Sequence, residues 1–227
     1  MNAVRVAVRG VGEVFITAGI VLLLFVVWQL WWTDVTATRV QTQQTQALQQ
    51  QWDDQPPHPS ASAEPKTITS VPYGKAFALI HIPRFGKGYA RPILEGTSLE
   101  VLDRGVGHYV GAAFPGQVGN FAVAGHRVTY AKPFNRVDEL KVGDPIVIET
   151  SNAWYVYRVV SHRIVTPDHT EVIAPVPNHP GQQPTDAMMT MTACHPKFSA
   201  RQRYVLFSKL DQTIAKAPGV VPDVLRG

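Results

Sequence analysis

The sequence contains few cysteines and few charged residues, and each shortage reduces the range of functions that the protein can have. Its 227 residues include one cysteine, Cys194, so no disulfide can form within the chain. Only 17% of the residues are charged, the net charge is +4, and lysine and arginine form no run. Nucleic-acid-binding surfaces usually show such basic clusters, so we predict no nucleic-acid partner. No internal repeat is evident.

Charge is also missing from the stretch Val14–Trp32. As a helix that rises about 1.5 Å per residue, this stretch approaches the ~30 Å thickness of a membrane's hydrocarbon core. Arg5 and Arg9 precede it, which predicts an N-terminus in the cytoplasm. We interpret residues 14–32 as an uncleaved membrane anchor. The alternative, a cleaved signal peptide, is disfavoured because its apolar region spans roughly 7–15 residues. Three tryptophans at one end of the stretch resemble an interfacial belt: Trp28, Trp31 and Trp32.

The anchor divides the chain into regions. Residues 1–13 form the predicted cytoplasmic N-terminus, and residues 33–72 form a stalk that is first rich in Gln and Thr and then rich in Pro. The stalk has too little apolar surface to fold, and prolines favour an extended spacer, so we predict that it is disordered. A helix over its Gln-rich part, residues 41–51, is the alternative. A folded domain is expected over residues 73–212, followed by a C-terminal tail over residues 213–227 that is frayed beyond Ala215.

The predicted domain consists of short apolar segments interrupted by Gly and Pro, which is typical of an all-β barrel or sandwich. Residues 154–160 alternate between two faces, which predicts a half-buried strand. A second strand over 120–125 runs into His126, and a third over 187–193 runs into Cys194. Arg203 begins the strand that follows.

Cys194, His126 and Arg203 form the strongest candidate constellation, because all three lie at strand ends that a barrel can bring to one mouth. A thiolate attacks carbonyl groups well when a cation lies nearby, and histidine can supply that charge and later protonate a leaving amine. Arginine can bind a developing oxyanion. A lone cysteine is often only a small buried hydrophobe. Export of the domain favours a functional thiol, since exported proteins seldom keep a free one without a use.

Several motifs resemble those of the sortases, the cysteine transpeptidases of Gram-positive cell surfaces. Residues 190–194 read Thr-Met-Thr-Ala-Cys and resemble the sortase signature T-L-x-T-C. Residues 119–127 are similar to the segment that carries the family's catalytic histidine, and Arg203 matches the family's arginine. The similarity covers about residues 76–210. Four further segments resemble the class E, or actinobacterial housekeeping, group: residues 105–109 (Gly-Val-Gly-His-Tyr), 114–120 (Phe-Pro-Gly-Gln-Val-Gly-Asn), 129–134 (Thr-Tyr-Ala-Lys-Pro-Phe) and 194–201 (Cys-His-Pro-Lys-Phe-Ser-Ala-Arg).

The resemblance implies a closed eight-stranded sortase-type β-barrel with short helices, preceded by one transmembrane helix and a disordered stalk. It implies that Cys194 attacks the Thr–Gly bond of a C-terminal sorting signal and forms a thioacyl intermediate. His126 would protonate the leaving amine, and Arg203 would stabilise the tetrahedral intermediate. The implied partners are surface proteins that bear an L-A-x-T-G- or L-P-x-T-G-like signal, a peptidoglycan-precursor amine, and the membrane through residues 14–32.

Four residues are candidates for substrate binding. The resemblance implies a tyrosine that reads the second position of the signal, for which Tyr109 is the best match and Tyr130 a weaker one. The backbone N–H of His195 follows the nucleophile directly and could donate to the oxyanion. Ala193 replaces the Thr of the signature, which removes a hydroxyl beside Cys194 and would alter any bond that this Thr makes to substrate.

Alternatives remain open from the sequence. The protein could be a thiol hydrolase that releases its product to water, or a non-catalytic surface-binding barrel. Arg201 is a second candidate for the catalytic arginine. No cofactor and no metal are predicted, because the remaining histidines lack zinc-ligand spacing and the nearby carboxylates are too dispersed for calcium. These residues are His162, His169 and His179, and Asp168, Glu171 and Asp186.

Overall fold

The computed structural model describes residues 2–54 and 67–226. A long helix α1 (Asn2–Asp53) precedes eight strands and two short helices. Three short 3-10 turns lie between them, over Pro83–Phe85, Val137–Glu139 and Thr170–Ile173. The remaining elements are β1 (Ala76–His81), β2 (Ala90–Glu95), α2 (Leu99–Leu102), β3 (Val106–His108), β4 (Gly119–Ala124), β5 (Pro145–Glu149), β6 (Ala153–Val165), β7 (Ala187–His195), β8 (Gln202–Ala215) and α3 (Asp223–Arg226).

The strands close into a barrel in the order β1-β2-β3-β4-β7-β8-β6-β5. This confirms the predicted eight-stranded barrel and excludes the sandwich. Strands β4 and β7 are parallel, with Ala124 opposite Thr192, so their C-terminal ends meet at the same rim. Strand β8 is antiparallel to β7, which brings its first residues to that rim. The topology therefore joins three strand ends that are far apart in sequence.

Alternation along β7 separates the barrel core from the outer face. Met189, Met191 and Ala193 point inward and are buried with Phe121 of β4 and the other core residues. Full burial of one such Met side chain is worth about 1.5–3 kcal/mol, so the register of β7 is strongly fixed. Because side chains alternate along a strand, the inward Ala193 leaves Cys194 on the opposite face.

The first half of α1 is a candidate membrane span by length and composition. Its most apolar 18 residues have a mean hydropathy of 2.4, and none of them is buried. The structure differs from the predicted stalk in the second half, since residues 33–53 continue the helix. Gln, Ala and Leu favour helix, and Leu48 and Trp52, one turn apart, pack against Leu79 of β1. The proline-rich part of the predicted stalk, residues 55–66, lies outside the described residues.

The C-terminal region also differs from the predicted frayed tail. Strand β8 extends to Ala215, and Val221, Val224 and Leu225 pack on a cluster around Trp154 of β6. Val221 precedes the short helix α3, which carries Val224 and Leu225, and the three side chains cover this part of the barrel wall. Burial of apolar surface thus orders these residues, although the polar residues around them gave no indication of structure in the sequence.

Candidate active site

The rim formed by β4, β7 and β8 carries the three candidate residues. Cys194 is partly exposed on β7, and Arg203 is its register partner on β8. His126 lies two residues beyond β4, and the N–H of Gly125 donates to the carbonyl of Thr192 at 3.1 Å. This bond continues the parallel ladder past Ala124, so it brings His126 to the level of Cys194. The structure therefore places the three predicted residues together.

Gly125 is required for this approach of the chain. A Cβ atom at this position would lie 2.6 Å from the ring of Phe134, which is fully buried in the barrel core. The N–H of Phe134 donates to the carbonyl of His126 at 3.0 Å and closes the loop that follows β4. A side chain at residue 125 would therefore displace either the core ring or His126.

His126 has a carboxylate partner that sequence reasoning missed. Its Nε2 lies 3.1 Å from Oδ1 of Asp103, the residue that ends helix α2. A hydrogen bond between them puts the proton on Nε2 and fixes the ring orientation. Within the described residues Nδ1 of His126 has no hydrogen-bond partner, so it is available for proton transfer. An acidic residue at the end of a helical turn was the signal in the sequence, and it was too common to be informative.

Arg203 is held at the rim by its own loop. Its Nη1 donates to the carbonyls of Ala200 at 2.9 Å and Gln202 at 3.0 Å. Arg201 precedes β8 and is exposed, and its backbone N–H donates to Oγ of Ser199 at 3.2 Å. Of the two arginines, the structure thus places Arg203 opposite Cys194 on the neighbouring strand.

Arg127 is a second residue that sequence reasoning missed. Only 3% of it is exposed, and its Nη1 donates to the carbonyl of Cys194 at 3.3 Å and to Nδ1 of His195 at 2.8 Å. Its Nη2 forms an ion pair with Asp138 at 2.9 Å, so the buried charge is compensated. Arg127 fixes the backbone at the nucleophile. Because Nδ1 of His195 accepts this bond, its ring proton lies on Nε2.

The guanidinium of Arg127 also lies 5.7 Å above the ring of Tyr204 on β8. Burial raises the pKa of Tyr204 above its ordinary value, and the carboxylate of Asp138 raises this pKa further. Tyr204 therefore stays neutral over the physiological range, and its ring face can stabilise the cation.

The predicted substrate-binding residues occupy different positions. The hydroxyl of Tyr109 lies 3.0 Å from Oγ1 of Thr192, two residues before Cys194 on the same face of β7. The ring of Tyr130 lies 5.1 Å from that of His126. Ala193 requires a correction, because it is 2% exposed and packed in the barrel core. A side chain at residue 193 therefore faces the core, and direct contact with substrate is not expected.

This fold, with a cysteine, a histidine and an arginine at one rim, is the arrangement expected of a cysteine transpeptidase. The chain belongs to the sortase family, whose domain model matches residues 80–211. It is similar to Sortase SrtE1 of Streptomyces coelicolor, with 40% identity over 232 residues that cover 99% of this chain and 62% of SrtE1. The chain thus spans less than two thirds of the length of that relative.

Solved structures agree with this assignment. The structure of sortase E from Streptomyces avermitilis matches with a TM-score of 0.62 and 40% identity, over 69% of this chain and 100% of that one. The crystal structure of Sortase E1 from Streptomyces coelicolor with a tripeptide in its active site also has a TM-score of 0.62. It is 37% identical to this chain, and the match covers 67% of this chain and 97% of the solved chain. The resemblance to class E sortases is confirmed.

Proposed function

We propose that the protein is a membrane-anchored transpeptidase that cleaves a C-terminal sorting signal of the L-A-x-T-G or L-P-x-T-G type between Thr and Gly. The observation that carries this proposal is the meeting of Cys194, His126 and Arg203 at one rim of a sortase barrel. The surface protein is then joined to an amine of a cell-wall precursor.

In the first half-reaction the thiolate of Cys194 attacks the carbonyl carbon of the signal's threonine. Arg203 donates hydrogen bonds to the oxyanion that develops on the carbonyl oxygen. The C–N bond to glycine then breaks, and protonated His126 gives its proton to the leaving amine. The products are a thioester on Cys194 and a free glycyl peptide.

In the second half-reaction an amine of the cell-wall precursor attacks the thioester carbonyl. Neutral His126 takes a proton from the attacking nitrogen as the new C–N bond forms. The C–S bond breaks, and Cys194 leaves as a thiolate. The enzyme returns to its initial protonation state, and hydrolysis is the same step with water in place of the amine.

A peptide substrate is supported by the Streptomyces coelicolor sortase E1 structure, which holds a tripeptide in its active site. Tyr109 is our candidate for reading the second signal position, because its hydroxyl bonds to Thr192 on the nucleophile's face of β7. Anchoring through residues 14–32, with the N-terminus in the cytoplasm and the barrel outside, is supported by the exposed apolar half of α1. Such a placement puts the barrel on the side where surface proteins emerge.

The test uses the full chain in detergent micelles with a fluorescent L-A-x-T-G peptide and a glycine-based amine. We expect wild type to form the amide product and Cys194→Ala to form none. Mass spectrometry of wild type with peptide alone should show an adduct on the only cysteine. Hydrolysed product at every amine concentration would indicate a thiol hydrolase. Equal product formation by wild type and Cys194→Ala would show that the protein is not a cysteine transpeptidase.

A peptide series that varies the second position tests the signal. We expect Ala at that position to be cleaved faster than Pro, and Tyr109→Phe to reduce the difference. Lys209→Ala, an exposed change on β8 away from the rim, serves as the matched control and should leave the preference unchanged. Equal rates for Ala and Pro in wild type would remove Tyr109 from this role.

A further inference from the structure

Helix α1 contacts the tip of the loop that carries His126, and we define this tip as residues 130–132. Nε2 of Gln41 donates to the backbone carbonyl of Tyr130 at 3.0 Å, and Gln41 is 2% exposed. Two turns earlier, Oδ2 of Asp34 lies 2.5 Å from Nζ of Lys132. Residues seven apart lie on the same face of a helix, so one face of α1 makes both contacts.

The tip has a backbone conformation that needs support. Tyr130, Ala131 and Lys132 have φ values of 52°, 59° and 47°, a left-handed region that non-glycine residues rarely adopt in succession. Such conformations persist only where surrounding contacts determine them. Two bonds within the loop contribute. The N–H of Lys132 donates to the carbonyl of Thr129, and the N–H of Asn135 donates to the carbonyl of Lys132, each at 3.0 Å. The two bonds from α1 supply the support from outside the loop.

The base of the same loop is held independently of the helix. The N–H of Phe134 donates to the carbonyl of His126 at 3.0 Å, and Nδ2 of Asn135 donates to the carbonyl of Arg127 at 2.8 Å. The loop therefore has a fixed base in the barrel and a tip fixed by α1. Loss of the helix contacts should move the tip while the base and the barrel stay in place.

The tip matters to the reaction because Tyr130 lies beside His126. Their ring centroids are 5.1 Å apart at an interplanar angle of 30°. Asp103 holds the imidazole through Nε2, and Tyr130 restrains it by ring contact. We propose that the second half of α1, residues 33–53, is a positioning element of the active site, in which Gln41 and Asp34 hold Tyr130 against His126. The inference rests on the proposed function, in which His126 transfers the proton.

The chemistry of Gln41 supports this role. Its Oε1 is buried and accepts no hydrogen bond from the described residues. A buried, unpaired amide oxygen is unfavourable, so docking of the helix alone would be served as well by an apolar side chain. What an apolar residue would not provide is the donor to Tyr130. The tip also lies close to the tryptophans that end the apolar stretch, since Asp34 follows Trp32 by two residues. The same helix thus links the anchor to the site.

The test compares Gln41→Met with Gln43→Met in the full chain in detergent micelles. Met conserves volume at residue 41 and removes the donor, and Gln43 is an exposed residue of the same helix. We expect kcat for the peptide to fall about threefold to tenfold in Gln41→Met, the effect of one net hydrogen bond on the competent population, with KM unchanged. Gln43→Met should match wild type in both constants. Equal kcat values for the two variants would overturn the proposal.

A second readout does not depend on activity. In protein with carbon-13-labelled histidine rings, the resonance of His126 is assigned by its loss in His126→Asn. We expect this resonance to shift in Gln41→Met and to stay in place in Gln43→Met. A fall in kcat without the shift, as loss of folded protein would give, overturns the proposal, and so does a shift with unchanged kcat. If wild type transfers no peptide but the shift is present, the proposed function fails and the contact between helix and loop holds.

Discussion

The hydrogen bond between Asp103 and His126 sets the fraction of molecules in which the imidazole has the tautomer and orientation needed for proton transfer. A carboxylate on Nε2 selects one tautomer and orients the ring, so that Nδ1 faces the reacting groups during proton transfer. We expect Asp103→Asn to lower kcat/KM about tenfold to hundredfold, the size of effect known for carboxylates that orient metal-bound histidines. Initial rates with the fluorescent peptide measure the effect.

The control for this substitution lies on the same helical turn. Glu100 is exposed in α2, so Glu100→Gln removes a carboxylate near Asp103 without a contact to His126. It should retain wild-type kcat/KM. Equal losses in the two variants would attribute the effect to helix α2, and equal activities would show that the carboxylate at residue 103 is dispensable.

At the residue scale, local motifs predicted the site better than its supports. Cys194 and His126 each lie at the end of an apolar strand in a characteristic short segment, so the sequence proposes them as candidates without knowledge of the fold. Asp103 follows helix α2 and reaches His126 only through the fold. Arg127 directly follows His126, but its contacts to Cys194 and His195 depend on the pairing of β4 with β7. Ala193 shows the opposite error: its neighbour is the nucleophile, but strand alternation turns its side chain into the core.

At the element scale, one buried carboxylate joins three parts of the barrel. Glu149 at the end of β5 is 5% exposed and bonds to Nε2 of His81 on β1 and to Nζ of Lys216, just after β8, each at 2.7 Å. Burial raises the pKa of Glu149, but the bonds from His81 and Lys216 outweigh that effect and leave its pKa below the usual value. The ionised form is thus the stable one in the folded barrel.

This arrangement predicts a pH-dependent contribution to stability. A carboxyl whose pKa is lower in the folded state stabilises the protein above its unfolded value and loses that effect as the pH falls through the folded one. We expect Glu149→Gln to lower the free energy of unfolding by about 1.5–3 kcal/mol at pH 6, the range for hydrogen bonds to charged groups. The difference from wild type should shrink below the ordinary glutamate pKa of 4.5. Urea unfolding followed by tryptophan fluorescence measures it, and a constant difference down to pH 3 would contradict the assignment.

The elements themselves were predictable where the pattern was local. The alternating residues 154–160 lie within β6 (Ala153–Val165), and the predicted strand over 120–125 corresponds to β4. Within residues 33–53, a helix was only an alternative for the Gln-rich part, because a Gln- and Thr-rich sequence has too few apolar residues to indicate a packed face. Its burial depends on Leu79 in β1, which lies more than 25 residues away in sequence. Contacts of this kind override local composition.

At the scale of the whole molecule, α1 is a rigid connection, here called a strut, between the apolar stretch and the barrel. Its 52 residues extend about 78 Å, longer than the ~30 Å hydrocarbon core of a membrane. The ring of Trp52 near its end packs under Nζ of Lys216 at 4.2 Å, so the last turns are fixed to the barrel. A flexible stalk would let the barrel sample many heights, whereas a docked helix holds the site close to the end of the apolar stretch.

The proposed orientation of this strut gives a last prediction, tested by cysteine labelling in intact bacteria. Because Cys194 is the only cysteine, Cys194→Ala provides a background without thiols. In that background, Val142→Cys, which is 72% exposed on the barrel, should react with a membrane-impermeant maleimide on intact cells. Ala3→Cys, near the start of α1, should react only after the cells are permeabilised, because Arg5 and Arg9 predict an N-terminus in the cytoplasm. Labelling of residue 3 and protection of residue 142 in intact cells would reverse the topology and place the barrel away from any surface protein.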